Sequence, residues 1–181
     1  MTSKRNSVRT SVSKYMSYLL RHNSEQLKMD KHGFVDIDEL AEKIQARFNI
    51  KKQLIQDITE KSERQRFEII ENRIRALYGH TIPISLEFNE DKVSKVYYHG
   101  TTPEAASQIL QVGLKPMKRN WVHLSPTIEI AEEVGSRRSR HPVILEINAE
   151  SARKNGLIFY EATSKVYLCQ HVAPEYIKLA C

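Results

Sequence analysis

A chain of 181 residues has room for one domain or two small ones, and with 40% hydrophobic residues it can bury a core, which excludes wholesale disorder. Lys and Arg number 28 against 22 Asp and Glu, a net charge of +6 that favours a polyanionic partner such as nucleic acid or a nucleotide. Two cysteines, Cys169 and Cys181, exclude a disulfide framework and a cysteine-rich zinc finger.

The basic, polar segment Met1–Ser13 has no signal-peptide core, and no apolar run reaches the roughly 20 residues of a spanning helix, so a reducing, cytoplasmic setting without a membrane is expected. Val8, Val12, Tyr15, Met16, Leu19 and Leu20 share one helical face, and that helix should end near Arg21-His22. Gly33 breaks the chain. Asp36 with Glu39 reads as a capping box opening a helix that buries Ile37, Leu40, Ala41 and Ile44. A further helix is predicted over Lys51 to Lys61, with Leu54, Ile55 and Ile58 inside. Arg66 to Ala76 alternates apolar and polar residues around Glu71-Asn72, as a hairpin does, so Ile74 and Ala76 face inward and Arg73 and Arg75 outward. Three helices followed by a hairpin is the order of a winged helix.

Phe88 to Lys95 is polar and reads as a linker between an N-terminal lobe over 1–88 and a second lobe over 95–181. Val96–His99 reads as a strand, Thr102-Pro103 as a helix start and Gly113 as its stop. Trp121–Leu124 is another strand, Ser125-Pro126 opens a helix that stops at Gly135, and Val143–Ile147, Leu157–Tyr160 and Lys165–Leu168 are further strands. The fold class is therefore α+β.

The glycines, at 33, 79, 100, 113, 135 and 156, make neither a dinucleotide fingerprint nor a P-loop. His99-Gly100-Thr101 sits where a strand meets a helix. Its glycine would let a ligand approach the backbone, the helix start would offer amides to an anion, and His99 could donate to a ribose hydroxyl. His123-Leu124-Ser125 repeats the arrangement. Each could equally be a structural turn. Arg21-His22 and Arg137 could equally be cations compensating helix C-termini, and Arg75 a solvated surface charge.

Together these residues carry a family resemblance. Ser17-Tyr-Leu-Leu-Arg-His22, Gly33-Phe-Val-Asp-Ile-Asp-Glu-Leu40, Ile74-Arg-Ala-Leu-Tyr-Gly-His80, Tyr98-His-Gly-Thr101, Gly113-Leu114, Val122-His-Leu-Ser125, and Gly135-Ser-Arg137 followed by Pro142-Val-Ile-Leu145 resemble, in order and spacing, the signatures of the RNA 2′-phosphotransferases. The similarity covers nearly the whole chain. Glu161-Ala-Thr-Ser-Lys165 departs from the family, which often has Ser and Asn-Gly there.

The resemblance implies a winged-helix lobe followed by an ADP-ribosyltransferase-like lobe. It implies phosphate-handling, catalytic roles for Arg21, His22, Arg75 and Arg137. It implies NAD contacts from His99, Gly100, Thr101, His123, Leu124, Ser125 and Val166, the last an aliphatic residue in place of the glutamate of protein-modifying relatives. The implied reaction consumes NAD, needs no metal, and acts on RNA carrying an internal 2′-phosphate, with tRNA left by splicing as the expected substrate. It releases nicotinamide, 2′-hydroxyl RNA and ADP-ribose 1″,2″-cyclic phosphate. A monomer is expected. The alternatives are an ADP-ribosyltransferase of the same fold that leaves its mark on nucleic acid or a terminal phosphate, and a winged-helix RNA binder with an inactive second lobe.

Overall fold

The computed structural model describes residues 2–62 and 64–180, and Cys181 lies outside them. The chain divides into two compact units, Met1–Glu87 and Phe88–Cys181. Helices and antiparallel sheets occur in both, so the class is α+β.

In the first unit, helix α1 (Thr2–His22) is followed by strand β1 (Val35–Asp36), helices α2 (Ile37–Gln45) and α3 (Gln53–Glu60), and strands β2 (Phe67–Ile70) and β3 (Arg73–Ala76). The helical face read from the sequence is buried at Val12, Met16, Leu19 and Leu20, whereas Val8 stays 40% exposed. Each fully buried side chain of this kind contributes about 1.5–3 kcal/mol over an exposed one. Asp36 caps α2 by accepting from the Asp38 and Glu39 amides at 2.7 and 3.2 Å. Glu39 does not return the bond as a capping box would; its carboxylate takes the Lys28 amide at 3.0 Å. β2 and β3 form the expected hairpin, with Glu71 at φ +55° in the turn. Two-residue β1 was too short to stand out in the sequence; it joins the far edge of β3 by pairing Val35 with Ile74.

The second unit opens on a departure from the sequence reading. The segment expected to be a linker holds strand β4 (Asn89–Asp91), paired with β8 (Phe159–Thr163). Asp91 explains why: its carboxylate, 9% exposed, accepts from the Tyr97 hydroxyl, from the Ser94 amide at 3.2 Å and from Arg153 at 3.5 Å. Burial opposes its ionisation, but hydrogen bonds from Tyr97 and from the Val93 and Ser94 region outweigh it and hold the carboxyl below its ordinary range.

One sheet has the order β10 (Ile177–Leu179), β7 (Val143–Asn148), β5 (Val96–Thr101). The other runs β4, β8, β9 (Val166–Cys169), β6 (Val122–Leu124). Strand β8 begins two residues later than predicted, and β10 and helix α6 (Ala149–Lys154) were not anticipated. Helix α4 (Pro103–Val112) has the predicted Thr102 cap. Helix α5 (Ile128–Gly135) is capped by Thr127, which takes the Ile130 amide at 3.4 Å, and not by Ser125. Ser125 is occupied in a bridge to Tyr98, with both amide bonds at 2.8 Å. The core of this unit gathers Tyr97, Leu145, Ile147, Phe159 and Cys169. Among the described residues no helix is long and apolar enough to cross a membrane.

Candidate active site

The last turn of α1 delivers Arg21 and His22, and β3 delivers Arg75. The segment after β3 crosses the end of α1, where the Thr81 amide donates to the Arg21 carbonyl at 3.0 Å. That bond satisfies one of the carbonyls a helix C-terminus leaves unpaired. Gly79 makes the crossing possible. Its φ is +87°, and a Cβ there would stand 3.3 Å from Arg21 Nη1.

Arg21 is a buried cation, 8% exposed, whose guanidinium lies 4.9 Å from the Tyr78 ring centre and 5.8 Å from that of Phe67. Arg75 points away from the apolar core, as the strand alternation predicted, but it is not a solvated charge. It stacks 4.4 Å from Phe34, bonds the cross-strand Glu68 carboxylate through Nε, and donates from Nη1 to the His32 carbonyl at 3.3 Å. Those bonds orient the fork.

His80 ties these groups together. It is 4% exposed, its Nε2 has no hydrogen-bond partner, and it feels the charges of Arg21, His22 and Arg75. Burial, reinforced by those neighbours, lowers its pKa from 6.5 to about 3, so the imidazole is neutral at physiological pH. Three of the four expected phosphate-handling residues thus converge on one neutral histidine. His80 closed a motif in the sequence, but nothing there assigned it a place in the site; Thr81 gave no signal at all.

In the second unit, the turns after β5 and β6 lie side by side. His99 Nδ1 donates to the His123 carbonyl at 3.0 Å, and His123 Nδ1 donates to the Trp121 carbonyl at 3.0 Å. Because carbonyls only accept, both histidines carry Nδ1–H. Burial, against the help of the His123 carbonyl, pushes the His99 pKa down, with nearby Arg138 adding to the effect. Neutral His99 therefore presents Nε2 as an acceptor, and the donor role read from the sequence is reversed: a hydroxyl would donate to it.

Two other expectations change. Gly100 does make room, but on its Cβ side the room is taken by α5: an added Cβ would stand 1.9 Å from the Ala131 carbonyl oxygen. The start of α4 offers little to an anion, because Pro103 lacks an amide hydrogen, Thr102 takes the Ala105 amide at 3.3 Å, and the Glu104 carboxylate is held in its charged form there. Leu124 is core, 2% exposed, so only its backbone can meet a ligand. Thr101 ends β5 opposite Val143, and Val166 starts β9 beside Tyr167, the strand partner of Leu124. Trp121, with Phe88 and Tyr160, forms an edge-to-face aromatic cluster. Arg137 follows α5 and reaches Glu133 at 3.8 Å with half its side chain exposed. Among the described residues no group of His, Cys, Asp and Glu could hold a metal ion.

The first unit thus gathers Arg21, His22 and Arg75 around His80, on an α+β framework. The model of the family described as RNA 2'-phosphotransferase, Tpt1 / KptA family, matches residues 7–171. A protein of Pyrococcus abyssi named "Probable RNA 2'-phosphotransferase" is 43% identical over 172 residues, covering 93% of this chain and 94% of its own. Proteins of the same name from Bacillus thuringiensis subsp. konkukian (40% over 175 residues, 94% and 95% covered) and Thermococcus kodakarensis (41% over 175 residues, 95% and 97% covered) are similar throughout. The chain belongs to the RNA 2′-phosphotransferase family.

Proposed function

We propose that the protein is an NAD-dependent RNA 2′-phosphotransferase, with a winged-helix first unit and an ADP-ribosyltransferase-like second unit. It moves an internal RNA 2′-phosphate to the ADP-ribose of NAD and yields nicotinamide, 2′-hydroxyl RNA and ADP-ribose 1″,2″-cyclic phosphate. The observation that carries this reading is the convergence of Arg21, His22 and Arg75 on neutral His80. Two arginines that both act on one buried histidine make a positive region that suits a phosphate dianion. Helices α1 to α3 with the hairpin β2–β3 support the winged helix. NAD suits the second unit chemically: His99 Nε2 can accept from a ribose hydroxyl, and the backbone of the adjoining His123–Ser125 turn borders it.

The residues divide the work. The RNA 2′-phosphate is already an anion, so the first transfer, to C1″ with nicotinamide leaving, needs positioning more than a base. Arg21 and Arg75 supply that positioning. In the second transfer O2″ attacks phosphorus, the bond to the RNA 2′-oxygen breaks, and the proton lost from O2″ is balanced by one gained at the 2′-oxygen. His22 handles a proton at this step, and Arg137 stabilises the charge that develops on the phosphoryl oxygens.

The test is incubation of the protein with NAD and an RNA bearing one internal 2′-phosphate. Loss of the phosphate with appearance of the cyclic phosphate is expected. Arg137→Ala should accumulate RNA still joined to ADP-ribose, with RNA binding retained. Stable ADP-ribosylated RNA as the end product of the unaltered protein would refute the phosphotransferase reading.

A further inference from the structure

His22 makes its Nδ1 contact with Thr81 Oγ1 at 3.0 Å, and the same hydroxyl lies 3.3 Å from the Arg21 carbonyl. A hydroxyl has one proton. The Arg21 carbonyl can only accept, so Thr81 must donate to it. The lone pair of Oγ1 is then what faces His22, and Nδ1 must carry the hydrogen that fills this contact. The chain of donors runs from His22 Nδ1–H to Thr81 Oγ1–H to the Arg21 carbonyl. Its far end is fixed, because the Thr81 amide also donates to that carbonyl at 3.0 Å. Thr81 itself is held by a segment anchored further on, where the Ser85 amide donates to the Lys31 carbonyl at 2.7 Å and His32 Nδ1 donates to the Ser85 carbonyl at 3.0 Å.

We propose that Thr81 is a positioning residue: it holds His22 as the Nδ1–H tautomer and commits its proton exchange to Nε2. This rests on the phosphate-handling role given to His22 above. His22 lies exposed at the end of α1, and this contact selects one of the two tautomers an imidazole can adopt. A histidine in the other tautomer would meet the phosphate with a permanent Nε2–H and could not take a proton there. A hydroxyl suits this position better than a carboxylate, since a negative charge would compete with the substrate phosphate for Arg21.

The decisive measurement is the tautomer of His22, read by long-range ¹⁵N–¹H correlation on the full-length protein above neutral pH. The unaltered protein should show Nδ1 protonated and Nε2 bare. Thr81→Val keeps the shape and the backbone amide but removes the hydroxyl; His22 should then shift toward the Nε2–H form. Turnover of 2′-phosphorylated RNA by this variant should fall about tenfold or more, the range seen when a histidine loses its orienting partner. Thr81→Ser should restore both readings. A role confined to capping α1 would leave the tautomer unmoved in Thr81→Val, and that result overturns the proposal. So does an Nε2–H tautomer in the unaltered protein, which needs no variant to fold. A protein that shows the Nδ1–H tautomer and its loss in Thr81→Val yet never turns over this RNA would sink the phosphotransferase reading and leave the positioning contact standing.

Discussion

Acid should weaken the first unit through His80, and the size of the effect follows from its surroundings. In the unfolded chain the imidazole takes a proton near pH 6.5; folded, burial and then the charges of Arg21, His22 and Arg75 delay this to about pH 3. Between those limits the unfolded chain binds the extra proton, so stability is full above 6.5 and falls as pH falls. Each pH unit well inside that window costs about 1.4 kcal/mol, and acidification from 6.5 to 4.5 costs roughly 2–3 kcal/mol, a large share of a small unit's stability. The carboxyls held low by their partners, Asp30, Asp38, Asp57 and Asp91, lose stability in the same direction, but only as pH approaches their unfolded value of 3.8. His99 contributes with the same sign in the second unit. Comparison with His80→Gln isolates the one residue. Urea unfolding followed from pH 7 to 4.5 should show a slope smaller in the variant by up to about 1.4 kcal/mol per pH unit. A His80 resonance that titrates near 6.5 in the folded protein, or equal slopes for the two chains, would refute the argument.

Gly100→Ala should be among the most damaging small substitutions. The added Cβ falls 1.9 Å from the Ala131 carbonyl oxygen and 3.0 Å from the Gly135 nitrogen, and no rotamer change can relieve a clash with backbone. A loss of about 3 kcal/mol or more is expected, a drop of at least 10 °C or so in melting temperature; an unchanged melt would mean that α5 does not lie on β5 as described. Cys169 is fully buried, and burial pushes its thiol pKa up to about 12. Iodoacetamide at pH 8 should leave it unmodified in the native protein and label it after denaturation, as read by peptide mass spectrometry; native labelling would contradict its place in the core.

Periodicity located α1, α2, α3, the hairpin and most of the second unit's strands, because each carries an apolar pattern long enough to stand out. It missed β1 and β10, whose two and three residues are strands only because a longer partner templates them. It misread the segment around β4 for a different reason. Asn89, Glu90 and Asp91 are polar, as a linker would be, but Asp91 is buried by a long-range partnership with Tyr97 and Arg153 that no local window contains. Resemblance picked out Arg21, His22, Arg75, His99 and His123 by residue type and spacing. It could not give the protonation that decides what they do: His99 turned from donor to acceptor because its Nδ1 faces a carbonyl.

Four of the seven histidines share one device, and it explains why neighbouring backbone matters as much as the imidazole. His22, His32, His99 and His123 each spend Nδ1 on a fixed oxygen: a hydroxyl for His22 and a carbonyl for the other three. Nδ1 is the nitrogen nearer the main chain, so it reaches oxygens that secondary structure has already placed. In His80 the outer Nε2 is itself buried, and Gly33 is close enough that a Cβ there would stand 3.9 Å from it. A residue so placed cannot exchange protons freely with solvent. What it supplies is a neutral group among cations, so that no further positive charge is added beside Arg21, His22 and Arg75. Replacing it by lysine would add a buried charge beside these cations, and should disrupt the first unit more than the loss of the imidazole in His80→Gln does.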